Sequence, residues 1–133
     1  MTRDEALLAL RPHIDTEPTT SNPAEAFQNQ TLRPILKLQN ELLLGLFRDY
    51  LTKRKQAGTE GRFARLPRPE QEAYIDHSVR TDQKFKNLLV GVVLGQFTTG
   101  EWTAFRIDEA ELTRRIVGLV VQRLCSQIEL LLH

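Results

Sequence analysis

The chain has 133 residues, 18 basic and 17 acidic side chains and one cysteine, Cys125. That length suits a single domain with a core of its own. The near-zero net charge excludes the footprint of a general nucleic-acid binder, and a lone cysteine excludes an internal disulfide, which predicts a reducing, cytoplasmic setting.

The opening Met1-Thr2-Arg3-Asp4-Glu5 carries no apolar stretch of a secretory leader. Thr2 followed by Glu5 is a capping-box pattern and predicts a short helix over 3–10, presenting Leu7, Leu8 and Leu10. Pro12, Pro18 and Thr19-Thr20-Ser21-Asn22 read as a linker. Residues 1–22 are thus expected as a short helix with linker, and 23–133 as a helical bundle domain.

Asn22 can cap the next helix, Pro23 suits its first position, and Glu25 completes the start signal. From there to residue 57 the pattern is helical. One stripe holds Phe27, Ile35, Leu38, Leu42 and Leu46; the next holds Leu32, Leu36, Leu43, Phe47 and Tyr50. A continuous rod of that length would extend about 50 Å. Pro34 lies inside it and predicts a kink near Gln30, or two helices meeting there with Thr31 as a second cap.

Gly58 and Gly61 end this element, and 59–68 reads as a loop rich in glycine and arginine. Pro67 and Pro69 lead into a helix over 70–80 with Tyr74, Ile75 and Val79 turned inward. Thr81 or Asp82 caps the following helix, 83–97. Its run Leu88-Leu89-Val90-Gly91-Val92-Val93-Leu94-Gly95-Gln96-Phe97 is apolar on every side, which predicts a central rod enclosed by other helices. Gly91 and Gly95 share a face and predict a close crossing, against Gly45 or Gly118. The apolar run is only about half the length a membrane span needs.

Thr98 with Glu101 is another capping box, opening a short helix through Trp102, Phe105 and Ile107. Asp108 with Glu111 starts the last helix, carried to the C-terminus by Leu112, Ile116, Leu119, Val120, Leu124, Ile128 and Leu131. No segment alternates with period two. The expected fold is all-α, a bundle of about four main helices with two short ones.

Chemistry is thinly signalled. His13, His77 and His133 show neither His-x-x-x-His nor Glu-x-x-His spacing, so no metal site and no cofactor is expected. Cys125 has Val121, Ile128 and Glu129 one turn away and reads as an inert thiol. No phosphate loop or catalytic triad can be read, and no enzyme is indicated. Lys53, Arg54, Lys55, Arg62, Arg65 and Arg68 face only Glu60 within their segment. This block could hold an acidic partner or RNA, but an aromatic platform is missing apart from Phe63, which argues against nucleic acid. Gln28, Gln30, Gln39, Asn87 and Gln96 fit internal bonding between helices; the alternative is a polar ligand pocket, for which Arg33, Gln39, His77, Asn87 and Gln96 are the candidates.

The stretch from Phe27 through Gln28-Asn29-Gln30-Thr31-Leu32-Arg33-Pro34 to Gln39 resembles the opening of a family of short bacterial proteins of Bacteroidetes type without a characterised activity. Tyr74-Ile75-Asp76-His77, Asp82-x-Lys84-Phe85-x-Asn87-Leu88-Leu89 and Gly95-Gln96-Phe97-Thr98 are similar too. The resemblance covers most of the chain from Phe27 onward and implies an all-helical fold. Such proteins are sometimes labelled glyoxalase. The β-rich glyoxalase I fold and the His-rich metal motif of glyoxalase II have no counterpart in these residues.

The leading expectation is a small helical protein that binds another protein or itself. Leu130, Leu131 and Leu132 end the chain as an apolar patch that no single helix face can bury, which predicts a homodimer. The alternatives are a ligand-binding or catalytic bundle with the polar pocket above, and an adaptor contacting nucleic acid through 53–68.

Overall fold

A computed structural model describes residues 1–15 and 21–132 and confirms an all-α protein, with no strand among the described residues. Pro18, Thr19 and Thr20 of the expected linker, and His133, lie outside the described residues. No helix among the described residues is long and apolar enough to cross a membrane.

The first helix, α1 (Arg3–Leu10), has the expected cap: the Glu5 N–H donates to Thr2 Oγ1 and the Thr2 N–H donates back to Glu5. It buries no residue, and polar side chains hold it to the rest. Arg3 donates to the carbonyls of Phe97 and Gly95, and Asp4 accepts from the N–H and hydroxyl of Thr99. Arg11, just past the helix, binds Glu101 through both Nη atoms and the Gln96 carbonyl through Nη2.

Asn22 caps α2 (Pro23–Phe27) by accepting from Ala24 and Glu25. The continuous long rod is not found. A π turn (Gln28–Leu32) follows, in which Arg33 N–H reaches back to the Gln28 carbonyl, and then α3 (Arg33–Leu38). Proline has no N–H to donate, and the widened turn absorbs that missing bond without ending the helix. Gln30, whose carbonyl Pro34 leaves without its usual donor, is solvent-exposed and not turned inward for the expected bonding between helices. Thr31 is not a cap. It is buried, and its hydroxyl donates to Glu101. A second step at Gln39 separates α3 from α4 (Asn40–Lys53).

The expected loop over 59–68 contains a short helix, α5 (Arg62–Arg65), anchored by a fully buried Phe63. Gln71 Nε2 donates to the Phe63 carbonyl and fixes the segment against α6 (Arg68–Thr81). Phe63 also meets Phe47, which stacks on Tyr50 and touches Tyr74 and Phe85. Packing of one aromatic thus outweighs the turn-forming composition around it.

Asp82 caps α7 (Gln83–Leu94) by accepting from Phe85, and Thr98 with Glu101 caps α8 (Thr99–Ile107) as a full capping box. Asp108 stands before α9 (Glu109–Cys125) without making a side-chain cap bond. The helix at the centre is α9, and α7 is not the enclosed rod expected. Along α9, Leu112, Ile116, Val117, Leu119, Val120, Val121 and Leu124 are all buried. It touches α3, α4, α6, α7 and α8. By contrast α7 buries Phe85, Leu89 and Val93, while Leu88 and Gly91 stay exposed.

The glycine crossing is absent as well. A Cβ placed on Gly45 or Gly91 would meet nothing within 4 Å, and one on Gly118 only the end of Arg80 at 3.9 Å. Nor do the last leucines form an outward patch. The chain leaves α-geometry after Cys125 and closes in a 3-10 turn (Ile128–Leu131) against α4. This turn buries Ile128 and Leu131 and tucks Leu132 against the core, leaving Leu130 as the exposed one of the three. Changing helix pitch lets consecutive leucines point where one α-helical face could not.

Candidate functional site

The uncovered side of α7 faces a groove shared with α4. The two helices run antiparallel: Gln39, at the start of α4, donates to the Val92 carbonyl late in α7. Tyr50 and Arg54, at the end of α4, meet Asp82 at the start of α7. The groove has a volume of about 370 Å³, with Leu46, Tyr50, Phe85 and Leu88 among its walls. Leu42 lies one turn before Leu46 on the same stripe, and both Leu42 and Leu88 are 48% exposed. The apolar walls are interleaved with charged ones, since Asp49, Lys53, Arg54, Asp82 and Lys84 line the groove too.

Its polar end is organised around Asp82. The carboxylate accepts from the Phe85 N–H at 3.2 Å, from the Tyr50 hydroxyl at 3.1 Å and from Arg54 Nη2 at 2.6 Å. The Phe85 amide first, then Tyr50 and Arg54, hold the carboxyl below the usual aspartate range against a smaller effect of burial. Burial is the main reason the Tyr50 phenol is pushed up. The Arg54 guanidinium also lies 3.7 Å over the Tyr50 ring, a cation–π contact that immobilises it. Lys53 pairs with Asp49 at 2.9 Å, and Lys84 lines the same end of the groove.

The five candidates for a polar pocket do not converge. Arg33 lines a cleft between α3 and α9 that includes none of the other four. Gln39 is consumed by the Val92 carbonyl. His77 is exposed on α6, where its carbonyl takes the Thr81 hydroxyl. Asn87 is exposed and accepts from Gln83, its neighbour one turn earlier. Gln96 follows α7, and its carbonyl accepts from Arg11. The reason is topological: α6 and α7 turn the faces bearing His77 and Asn87 to solvent. Gln28, expected to bond between helices, does so by accepting from Arg115 at 3.0 Å.

The basic block is divided rather than pooled. Lys53 and Arg54 are spent at the groove, and Arg68 donates to the Cys125 carbonyl at the end of α9. Lys55, Arg62 and Arg65 are exposed on the α4–α5 connection and on α5 itself. Cys125 is half-buried, and burial first, with Glu72 and Asp76 adding to it, pushes its thiol up and away from nucleophilic character. Among the described residues no group of three or more His, Cys, Asp or Glu side chains could hold a metal ion.

Compared with family models, curated proteins and solved structures, the chain matches none of them. The functional argument therefore rests on the geometry. The groove was detectable in the sequence through one signal, a helix apolar on all sides interrupted by glycines. What the residues could not reveal was that Leu88 faces outward while Val90, Val92 and Leu94 pack against the core.

Proposed function

We propose that the protein is a self-associating interaction module whose docking surface is the α4–α7 groove, filled by the same two helices of a second copy. The observation that carries this reading is the pair Leu42 and Leu88, each 48% exposed beside a groove that Leu46, Tyr50 and Phe85 help to line. Uncovered apolar surface of this kind marks an interaction site. A two-fold arrangement covers it with the identical surface, giving a four-helix layer. The matched ion pairs Lys53–Asp49 and Arg54–Asp82 form a polar rim that need not be broken on docking.

Light scattering across micromolar concentrations tests it. The expected mass is twice the 15.3 kDa protomer. Leu88→Glu, at an exposed position, is expected to give the protomer mass with an unchanged helical signal. A protomer mass for the unaltered chain at every concentration overturns the reading.

A further inference from the structure

Two half-buried arginines meet across the cleft between α3 and α9. Arg33 opens α3 and Arg123 stands in the last turn of α9. The cleft has a volume of about 260 Å³ and is lined by these two with Leu36, Leu119, Gln122 and Ser126. No lining residue is acidic. Among the described residues the arginines that pair with carboxylates are others: Arg3 with Asp4, Arg11 with Glu101, Arg54 with Asp82, Arg80 with Asp76, and both Arg114 and Arg115 with Glu111. Arg33 and Arg123 have no carboxylate partner among them.

Each is instead fixed by a neutral amide. Arg33 Nε donates to Asn29 Oδ1 at 3.1 Å, which leaves both of its terminal nitrogens to the cleft. Arg123 Nη1 donates to Asn40 Oδ1 at 3.3 Å. Asn40 is itself clamped: it donates to Gln127 Oε1 at 2.9 Å and accepts from Gln127 Nε2 at 2.8 Å. Gln127 Nε2 also reaches the Arg123 carbonyl at 3.0 Å. Ser126 donates its hydroxyl to that carbonyl at 2.8 Å. The arginines are therefore oriented by groups that bring no negative charge.

We propose that this cleft binds a phosphate-type dianion, held in a fork by Arg33 and Arg123, with Leu36 and Leu119 packing the apolar part of a small phosphorylated ligand. Two guanidiniums whose field nothing in the cleft neutralises repel one another, and a doubly charged oxyanion between them turns that repulsion into attraction. Planar forks of N–H donors match the oxygens of a phosphoryl group two at a time. Burial, and after it the charge of Arg33, already disfavours the protonated form of Arg123. The cost of that repulsion falls away when a dianion occupies the cleft. This site is separate from the α4–α7 groove and does not depend on self-association.

The test is isothermal titration of the full chain with inorganic phosphate, run against acetate at matched ionic strength, with melting curves in phosphate and in chloride. A saturable one-to-one response to phosphate is expected, with a rise in melting temperature that follows it. Arg123→Gln is expected to weaken binding about tenfold or more, as the loss of a charge-assisted fork implies. In chloride, the same variant is expected to melt no lower than the unaltered chain, because the repulsion has gone; a merely structural arginine would lower it. Arg33→Lys keeps the charge and removes the fork, and should also lose most of the affinity. Absence of a saturable phosphate response, or an undiminished one in Arg33→Lys, overturns the site. A response to acetate as strong as that to phosphate overturns the dianion assignment.

Discussion

Arg11 and Glu101, separated by 90 positions in sequence, form a two-pronged ion pair at the seam between α1 and α8. Their side chains are only 9% and 17% exposed. The carboxylate also accepts from the Thr98 N–H at 2.8 Å and the Thr31 hydroxyl at 3.3 Å. One side chain thereby ties the N-terminal helix, the π turn and the start of α8 together.

Glu101→Gln keeps the shape and removes the charge, stranding the Arg11 guanidinium in a nearly dry seam. Breaking such a pair from one side costs about 3 kcal/mol or more. Urea unfolding of the variant is the measurement, and a loss below about 1 kcal/mol would mean that water reaches Arg11 freely.

Acid should act through the same residue. Burial raises the affinity of Glu101 for a proton, but the bonds from Arg11 and Thr98 outweigh it and hold the carboxyl below the usual glutamate range. A depressed native pKa contributes stability that is fully present above the unfolded value, about 4.3, and is lost as pH falls through the native value. Melting temperatures from pH 7 down to 3 should therefore fall more steeply for the unaltered chain than for Glu101→Gln. Parallel slopes would place the acid sensitivity elsewhere.

Glycines of opposite character make a paired prediction. Gly118 sits inside α9, where a methyl group would meet only Arg80 Nη2 at 3.9 Å, an ordinary contact. Gly118→Ala should stabilise by about 0.5–1 kcal/mol through helix propensity. At Gly61 a Cβ would come within 2.2 Å of the Ala57 carbonyl oxygen and 2.5 Å of that of Gln56. Gly61→Ala has to shift the backbone beside the buried Phe63 and should destabilise. Thermal melts of the two variants moving in the same direction would contradict this.

Leu131 is 1% exposed in the closing 3-10 turn, so it belongs to the protomer's own core. Leu131→Ala should cost about 2–5 kcal/mol, the usual range for emptying a leucine site. Chemical denaturation checks it, and the loss should not vary with protein concentration. A concentration-dependent loss would instead return this leucine to an interface.

Local chemistry made the helix starts legible. Thr2 with Glu5, Asn22 with Pro23, Asp82, and Thr98 with Glu101 all act within three residues, and each cap forms as its spacing implies. What failed depended on distant partners. Nothing beside Pro34 reveals that a π turn will absorb it, and nothing in Leu88 to Phe97 says which side meets α9. Arg33 was visible as a cation on an apolar helix, yet its counterpart Arg123 lies on α9, far along the chain. Arg11 gave no sign of its role because Glu101 already looked satisfied as a capping residue.

The α1 attachment has a consequence for how the protein loosens. Because α1 buries no residue and is held by Arg3, Asp4 and Arg11, lifting it away bares little apolar surface. An opening that bares little surface is almost indifferent to urea. Salt and acid, which weaken charge pairing, act on it directly. Amide hydrogens of α1 should thus exchange through a motion whose rate tracks ionic strength while ignoring low denaturant, unlike those of α9, which wait for the whole molecule to unfold. The two ends of one small protein answer to different solvents.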